Sequence, residues 1–300
     1  MINILFIGEI LVEIARVEKD LYKKSFAGDT FNAAHYLSKV SLGCVQVDYL
    51  TALGNDRESD QCLDFIRQHG VSTRRCLRSS THTLGLFVLT NDDKGEKQYA
   101  YWRDSSATRY LFDRPQDLTG YEWICLSGIT LAITKNKDNL IQSLQHARDQ
   151  GARIVFDFNY RQLLWSVDEA RVAAQMLLPL CDLVKISDEE LTQLFPHTNL
   201  QQLSMAHPKA EWVLTSGGAS AATYCAGVLE MQLNFSEVDT VVDSSAAGDS
   251  FLAAYLEARL RNQSYRTALG RGHCVAAQVI TANGSIVPIQ LAELETIYDQ

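Results

Sequence analysis

The chain has 300 residues, 46% of them hydrophobic, and 27 basic against 36 acidic residues give a net charge of −9. That length and composition can bury a large core, and the acidity argues against nucleic acid or an anionic membrane as the main partner. Seven cysteines, scattered without a CxxC pair, read as reduced core thiols of a cytosolic protein.

The first residues, MINILFIGE, have no basic leader, and their apolar run is too short for a signal peptide or a membrane span. They predict a buried strand over Ile2–Ile7. A helix follows over 30–40, a strand over Val45–Leu50, and a helix over 58–69 that stops at Gly70. The β-rich runs 84–90 and 97–103, separated by the turn-forming NDDKGE with Gly95, predict an inserted hairpin. Strand and helix then alternate: 123–126 with 139–150, 153–156 with 167–178, 183–186 with Asp188–Leu194, and 212–215 before an apolar run at 221–229. Repeated β-then-α units imply a mostly parallel sheet with helices on both faces.

The most informative stretch comes late. A β-type run, EVDTVV (237–242), precedes DSSAAGD (243–249), and a helical pattern follows with Phe251, Leu252, Tyr255, Leu256 and Leu260 on one apolar face. Small residues between strand and helix let the backbone approach a ligand, and the first helical turn offers unpaired N–H groups at the positive end of the dipole. Asp249 in that turn could accept a proton beside a bound anion. The alternative is a plain helix start, with Asp243 or Ser245 as N-cap.

Other candidates follow the chain. FAGDTFNAA (26–34) opens the first helix, with Asp29 as a plausible N-cap. On YAYWRDSSA (99–107), Tyr99, Tyr101 and Arg103 share a face by the period of two, and an arginine beside a phenol suits a carboxylate or hydroxyl. LSGITLAI (126–133) ends a strand at Gly128, where backbone could approach a ligand. FDFNYRQLLW (156–165) puts Asp157, Asn159 and Arg161 past the carboxyl end of a strand, where open α/β sheets place ligands. Each feature alone is commonly structural. No G-x-x-x-x-G-K-[ST] is present, GRGHCV (270–275) lies in a helical pattern, and the histidines lack zinc-site spacing.

DSSAAGD resembles the C-terminal signature of the ribokinase-like (pfkB-type) carbohydrate kinases, usually DTxGAGD. GDTxN, YxWR, SGIxLAI and DxNYRxxLW together resemble its 2-keto-3-deoxygluconate kinases, and the resemblance runs from Gly8 to the 280s. It implies a three-layer αβα fold over 1–300, with a mostly parallel central sheet and a small β-lid built from about 9–27 and 84–103. It implies an ATP- and Mg²⁺-dependent kinase phosphorylating the 6-hydroxyl of 2-keto-3-deoxygluconate, with a homodimer through the lid as a further expectation.

Carried over residue by residue, Ala246, Ala247 and Gly248 form the anion hole and Asp249 is the base. Gly28, Asp29, Asn32 and Tyr101 contact the sugar, and Arg103 and Arg161 hold its carboxylate. Thr215, Ser216 and Gly217 lie near the ATP phosphates or ribose, and Asn283 closes over the adenine. In KISDEEL, Ser187 stands where an ATP-side Asn is usual, and Glu190 keeps the place that organises Mg²⁺ through water; a carboxylate-rich helix start explains the same residues. Ser244 and Ala246 also depart from the family pattern, and both are small. A neutral-sugar kinase such as a fructokinase or ribokinase, or a regulator that kept the fold without turnover, are the alternatives.

Overall fold

The computed structural model describes residues 1–18, 20–91, 97–295 and 297. In chain order the strands are β1 (Ile2–Ile7), β2 (Leu11–Glu18), β3 (Leu21–Ala27), β4 (Val45–Leu50), β5 (Ala52–Leu53), β6 (Leu77–Arg78), β7 (Leu86–Asn91), β8 (Lys97–Trp102), β9 (Trp123–Ser127), β10 (Arg153–Asp157), β11 (Leu183–Ser187), β12 (Glu211–Ser216), β13 (Ser220–Cys225) and β14 (Val228–Asn234). The helices are α1 (Asp29–Val40), α2 (Arg57–Gln68), α3 (Gly128–Ile133), α4 (Lys137–Asp149), α5 (Val167–Leu177), α6 (Asp188–Leu194), α7 (Leu200–Ala206), α8 (Ala247–Leu260), α9 (Tyr265–Val279) and α10 (Leu291–Leu294).

The large sheet runs β14-β13-β12-β11-β10-β9-β1-β4. It is parallel from β12 to β4 and antiparallel from β12 to β14. Alternation along its strands builds the layers. Ile4 and Phe6 of β1 join the core beneath α1, α8 and α9, while Leu5 and Ile7 join the core on the opposite face, beneath α4 and α5. Parallel strands buried on both faces therefore read as continuous apolar runs. This is the expected αβα arrangement.

A second, four-stranded sheet, β3-β2-β7-β8, is antiparallel except between β2 and β7. It unites the segment after β1 with the inserted hairpin, as expected. The strands flanking the turn pair from Leu86↔Trp102 to Asn91↔Lys97. The expected turn itself, with Gly95, falls on residues 92–96, outside the described ones.

Two expectations are corrected. Residues 237–242 form no strand. Their β-branched side chains are exposed at Val241 and Val242, and the N–H groups of Val242 and Asp243 both donate to Ile280 O, at 2.8 and 3.2 Å. The end of α9 thus takes the place of a strand neighbour. Helix α8 is not amphipathic: every residue from Ser250 to Ala258 is buried, because α1 and α9 flank it over the sheet.

Candidate active site

One cavity of about 1000 Å³ runs along the carboxyl edge of the parallel strands, beneath the small sheet. Its volume lies at the upper end of ordinary ligand sites, enough for two small molecules side by side. At its centre is the start of α8. Ala246 is the N-cap residue, in the left-handed region at φ 60°, and no side chain caps the helix. Asp243 instead braces the loop, accepting from the N–H of Ser245 at 2.8 Å and of Gly284 at 3.0 Å. This corrects the reading of Asp243 or Ser245 as cap. The N–H of Ala247 reaches Ser244 O only at 3.3 Å, leaving the first turn with donors for an anion.

Asp249 sits at the cavity floor and accepts from Asn32 Nδ2 at 2.9 Å. Burial pushes its carboxyl up to about 7, the Asp29 carboxylate adds to the rise, and the Asn32 bond opposes it. A carboxylate with that value is poised to take a proton near neutral pH. Asp29 is not the N-cap of α1. Gly28 holds that position, and Asp29, the first helical residue, accepts from Asn159 Nδ2 at 3.0 Å. Asn159 reaches it from a left-handed backbone, φ 35°.

Gly28 lines the cavity, yet its lack of a side chain answers to Glu9, whose carbonyl oxygen would lie 2.1 Å from an added Cβ. Gly128 likewise begins α3 against Phe158 O, 1.9 Å from a would-be Cβ, so protein backbone rather than ligand approaches it.

The small sheet covers one end of the cavity. Tyr99 and Tyr101 stack with ring centroids 6.1 Å apart, and the Arg103 guanidinium lies 5.4 Å from the Tyr101 ring. Burial pushes the Tyr101 hydroxyl up while Arg103 and Arg161 both draw it down, so the two cations converge on that phenol. Burial also raises Tyr99, and a hydrogen bond to Ser245 ties it to the loop before α8. Arg103 is not a free cation: it is buried in an ion pair with buried Glu9. Burial raises the Glu9 carboxyl against the pull of Arg103. Arg161 is exposed and lines the cavity, with Nη1 donating to Tyr160 O at 3.1 Å and no second hydrogen bond or ion pair to the described residues.

Toward the other end, Thr215 and Gly217 line the cavity with Phe235 and His273, whose rings stack 3.8 Å apart and 2° from parallel. Ser216 and Asn283 are not among the lining residues. Asn283 is exposed, and its neighbours Gly284 and Ser285 face the cavity instead, because Asp243 holds the Gly284 amide. Ser187 caps α6, accepting from Glu190 N at 3.1 Å. Glu190 spends one oxygen on Ser187 N at 2.9 Å and the other on Tyr160 N at 2.7 Å. Its carboxylate therefore holds backbone, and no group of three or more His, Cys, Asp or Glu among the described residues could form a metal cage.

Sequence reasoning placed Asp157 at a strand end but missed Glu9 and Lys185, the partner of Asp157. Lys185 Nζ lies 2.9 and 3.0 Å from the Asp157 oxygens, and both residues are buried. Charged residues inside or at the end of otherwise apolar strands were the available signal. Phe235 and His273 left none, being far apart in the chain.

An uncapped helix start with a poised carboxylate in its first turn lines a cavity at the carboxyl edge of an α/β sheet, an arrangement able to hold an anion and take up a proton beside it. The chain belongs to the pfkB family of carbohydrate kinases, whose model matches residues 1–291. It is 34% identical to the 2-dehydro-3-deoxygluconokinase of Dickeya dadantii, over 96% of this chain and 97% of that protein. It is 35% identical to the enzyme of the same name from Haemophilus influenzae, over 96% of each. A solved 2-dehydro-3-deoxygluconokinase from Thermotoga maritima shares the fold, with a TM-score of 0.83 and 20% identity over 99% of each chain.

Proposed function

We propose that the protein transfers the γ-phosphoryl group of MgATP to the 6-hydroxyl of 2-keto-3-deoxygluconate. The observation that carries this is the uncapped start of α8 at the middle of one cavity, with Asp249 in its first turn and Arg161 uncommitted at the sugar end. Asp29, Asn32 and Tyr101 position the sugar, and Arg161 takes its carboxylate, with Arg103 contributing across the Glu9 pair. Asp249 accepts the hydroxyl proton as the oxygen attacks, and the Ala247 and Gly248 amides hold the equatorial oxygens. Positioning and electrostatics supply the rate, without a covalent intermediate. ATP lies along Thr215 and Gly217 with its base toward Phe235 and His273. Mg²⁺ would be held mainly by the nucleotide's phosphates rather than by a cage of protein carboxylates, and would offset the phosphates' charge.

In this reading the chain is one kinase unit, with the small sheet as its lid. Val17, Leu21 and Trp102, exposed on that sheet, support a homodimer through it, which sedimentation analysis tests. No described helix is long and apolar enough to cross a membrane, and we place the enzyme in the cytoplasm. The Glu9–Arg103 pair favours one second reading, a kinase of a neutral sugar, because of the two arginines expected to hold a carboxylate it leaves Arg161 alone.

ATP-coupled turnover across 2-keto-3-deoxygluconate, 2-keto-3-deoxygalactonate, fructose and ribose separates them. The acid sugars should lead, and Arg161→Leu should raise KM for 2-keto-3-deoxygluconate by tens-fold or more, on the order of a lost charge-assisted bond. Fructose should stay flat. Preference for fructose, or equal harm to both sugar classes, selects the second reading.

A further inference from the structure

Three carboxylates and one ammonium meet beneath the anion loop. The titratable groups around Asp249 are Asp29 and Tyr36 from α1, Cys125 from β9, Asp157 from β10 and Lys185 from β11, with Glu190 from α6 beyond them. Lys185 is the cation of this set. A methyl built on Gly248 would sit 3.2 Å from its Nζ, which puts the ammonium directly under the first turn of α8, where Asp249 lies. Yet both short contacts of that ammonium go to Asp157. The direct partners of the other two carboxylates are neutral amides: Asn159 for Asp29 and Asn32 for Asp249.

We propose that Asp157 and Lys185 act as a positioning pair for Asp249: Asp157 holds the ammonium away from the base, and Lys185 cancels the charge of Asp157. Neither is asked to touch sugar or nucleotide. A base bonded to an ammonium would lose its affinity for the hydroxyl proton, and one facing Asp157 unscreened would stay protonated at the working pH. Burial lowers the Lys185 ammonium, but Asp157 and Glu190 outweigh it, so Lys185 stays protonated; burial pushes the Asp157 carboxyl up to about 6 against the pull of Lys185, so the pair is ionised above that pH. A buried ion pair is weak evidence of stabilisation, which leaves its place under the base to explain.

The inference rests on Asp249 being the base, and the test separates the two. In Asp157→Asn, nearly equal in volume, the released ammonium turns to Asp249. The acid limb of the kcat/KM profile should move to lower pH by about one unit or more, and the plateau kcat should fall. In the double variant Asp157→Asn with Lys185→Met no net charge is removed, and limb and plateau should return to within a few-fold of the parent. A merely structural pair would lower Tm in Asp157→Asn and leave the limb in place, which overturns the proposal. So does a shifted limb that the double variant fails to restore. If Asp249→Asn keeps its turnover, the base assignment falls and this inference with it. If Asp249→Asn is inactive while the Asp157→Asn limb is unmoved, only the positioning role falls.

Discussion

Helices α6 and α8 both begin at the carboxyl edge of the same sheet, and both beginnings line the same cavity. They are built in opposite ways. At α6 the chain closes the helix on itself, with Ser187 and Glu190 exchanging side chain for backbone in a capping box. At α8 the cap residue is Ala246, whose side chain accepts nothing, in a left-handed conformation that an L-residue adopts at a cost. A helix start with its donors satisfied stabilises the fold. One left open gives up that stabilisation and keeps the donors for a ligand. In the proposed reading the two starts divide support from chemistry.

The largest expected effect tests the open start. Asp249→Asn should keep the fold and ATP binding and lose turnover by roughly 10²-fold or more, the scale of a general base. In the parent protein turnover should fall as pH drops through about 7, since the proton-accepting form is the ionised one. Stability has the opposite sense. The folded-state carboxyl is raised above its unfolded value, so its contribution is fully present below about pH 4 and is lost as pH rises toward 7. Asp249→Asn should therefore raise Tm at pH 8 and gain little at pH 4, read by paired melts. Near-parental turnover in this variant would reduce Asp249 to a dipole-stabilising residue.

Much of this division was legible in the sequence. The alternation of apolar strands with helical patterns gave the layers, since strands buried on both faces have no polar alternation to hide. DSSAAGD announced small residues before a helix, and NDDKGE a hairpin that joins the second sheet through its flanking strands. What escaped depends on partners distant in the chain. Whether Arg103 was free could not be read without Glu9, 94 positions earlier. The β-branched run at 237–242 looked like a strand because propensity is local, whereas its backbone partner among the described residues is the end of α9. Ala246 looked harmless by size, because the left-handed backbone that penalises its methyl is invisible in residue volume.

The closed start yields an intermediate effect. Glu190→Gln puts an NH₂ group where one of two backbone N–H groups now finds an acceptor, leaving a donor facing a donor. The cost should be about 1–3 kcal/mol in denaturant unfolding, with kcat at saturating MgATP within a few-fold of the parent. The opposite result, an unchanged midpoint with a hundredfold loss of kcat that extra Mg²⁺ relieves, would move Glu190 from the support side of the comparison to the chemistry side.

The smallest effect sharpens the comparison at its origin. Ala246 at φ 60° carries a side chain where the left-handed region costs an L-residue roughly 1–2 kcal/mol, and glycine does not meet that cost. Glycine also gains about 0.4–1 kcal/mol of conformational freedom in the unfolded chain, which offsets part of the relief. Ala246→Gly should therefore stabilise by about 0.5–1 kcal/mol, seen as a later urea midpoint at unchanged slope. Turnover should stay within about twofold, because the donors beyond Ala246 are backbone amides that the substitution leaves in place. A destabilised variant would mean that the methyl packs to more effect than its backbone strain costs. A stable variant with sharply lower kcat would mean that the strain holds those amides in line, and the open start of α8 would then owe its chemistry to rigidity as well as to its missing cap.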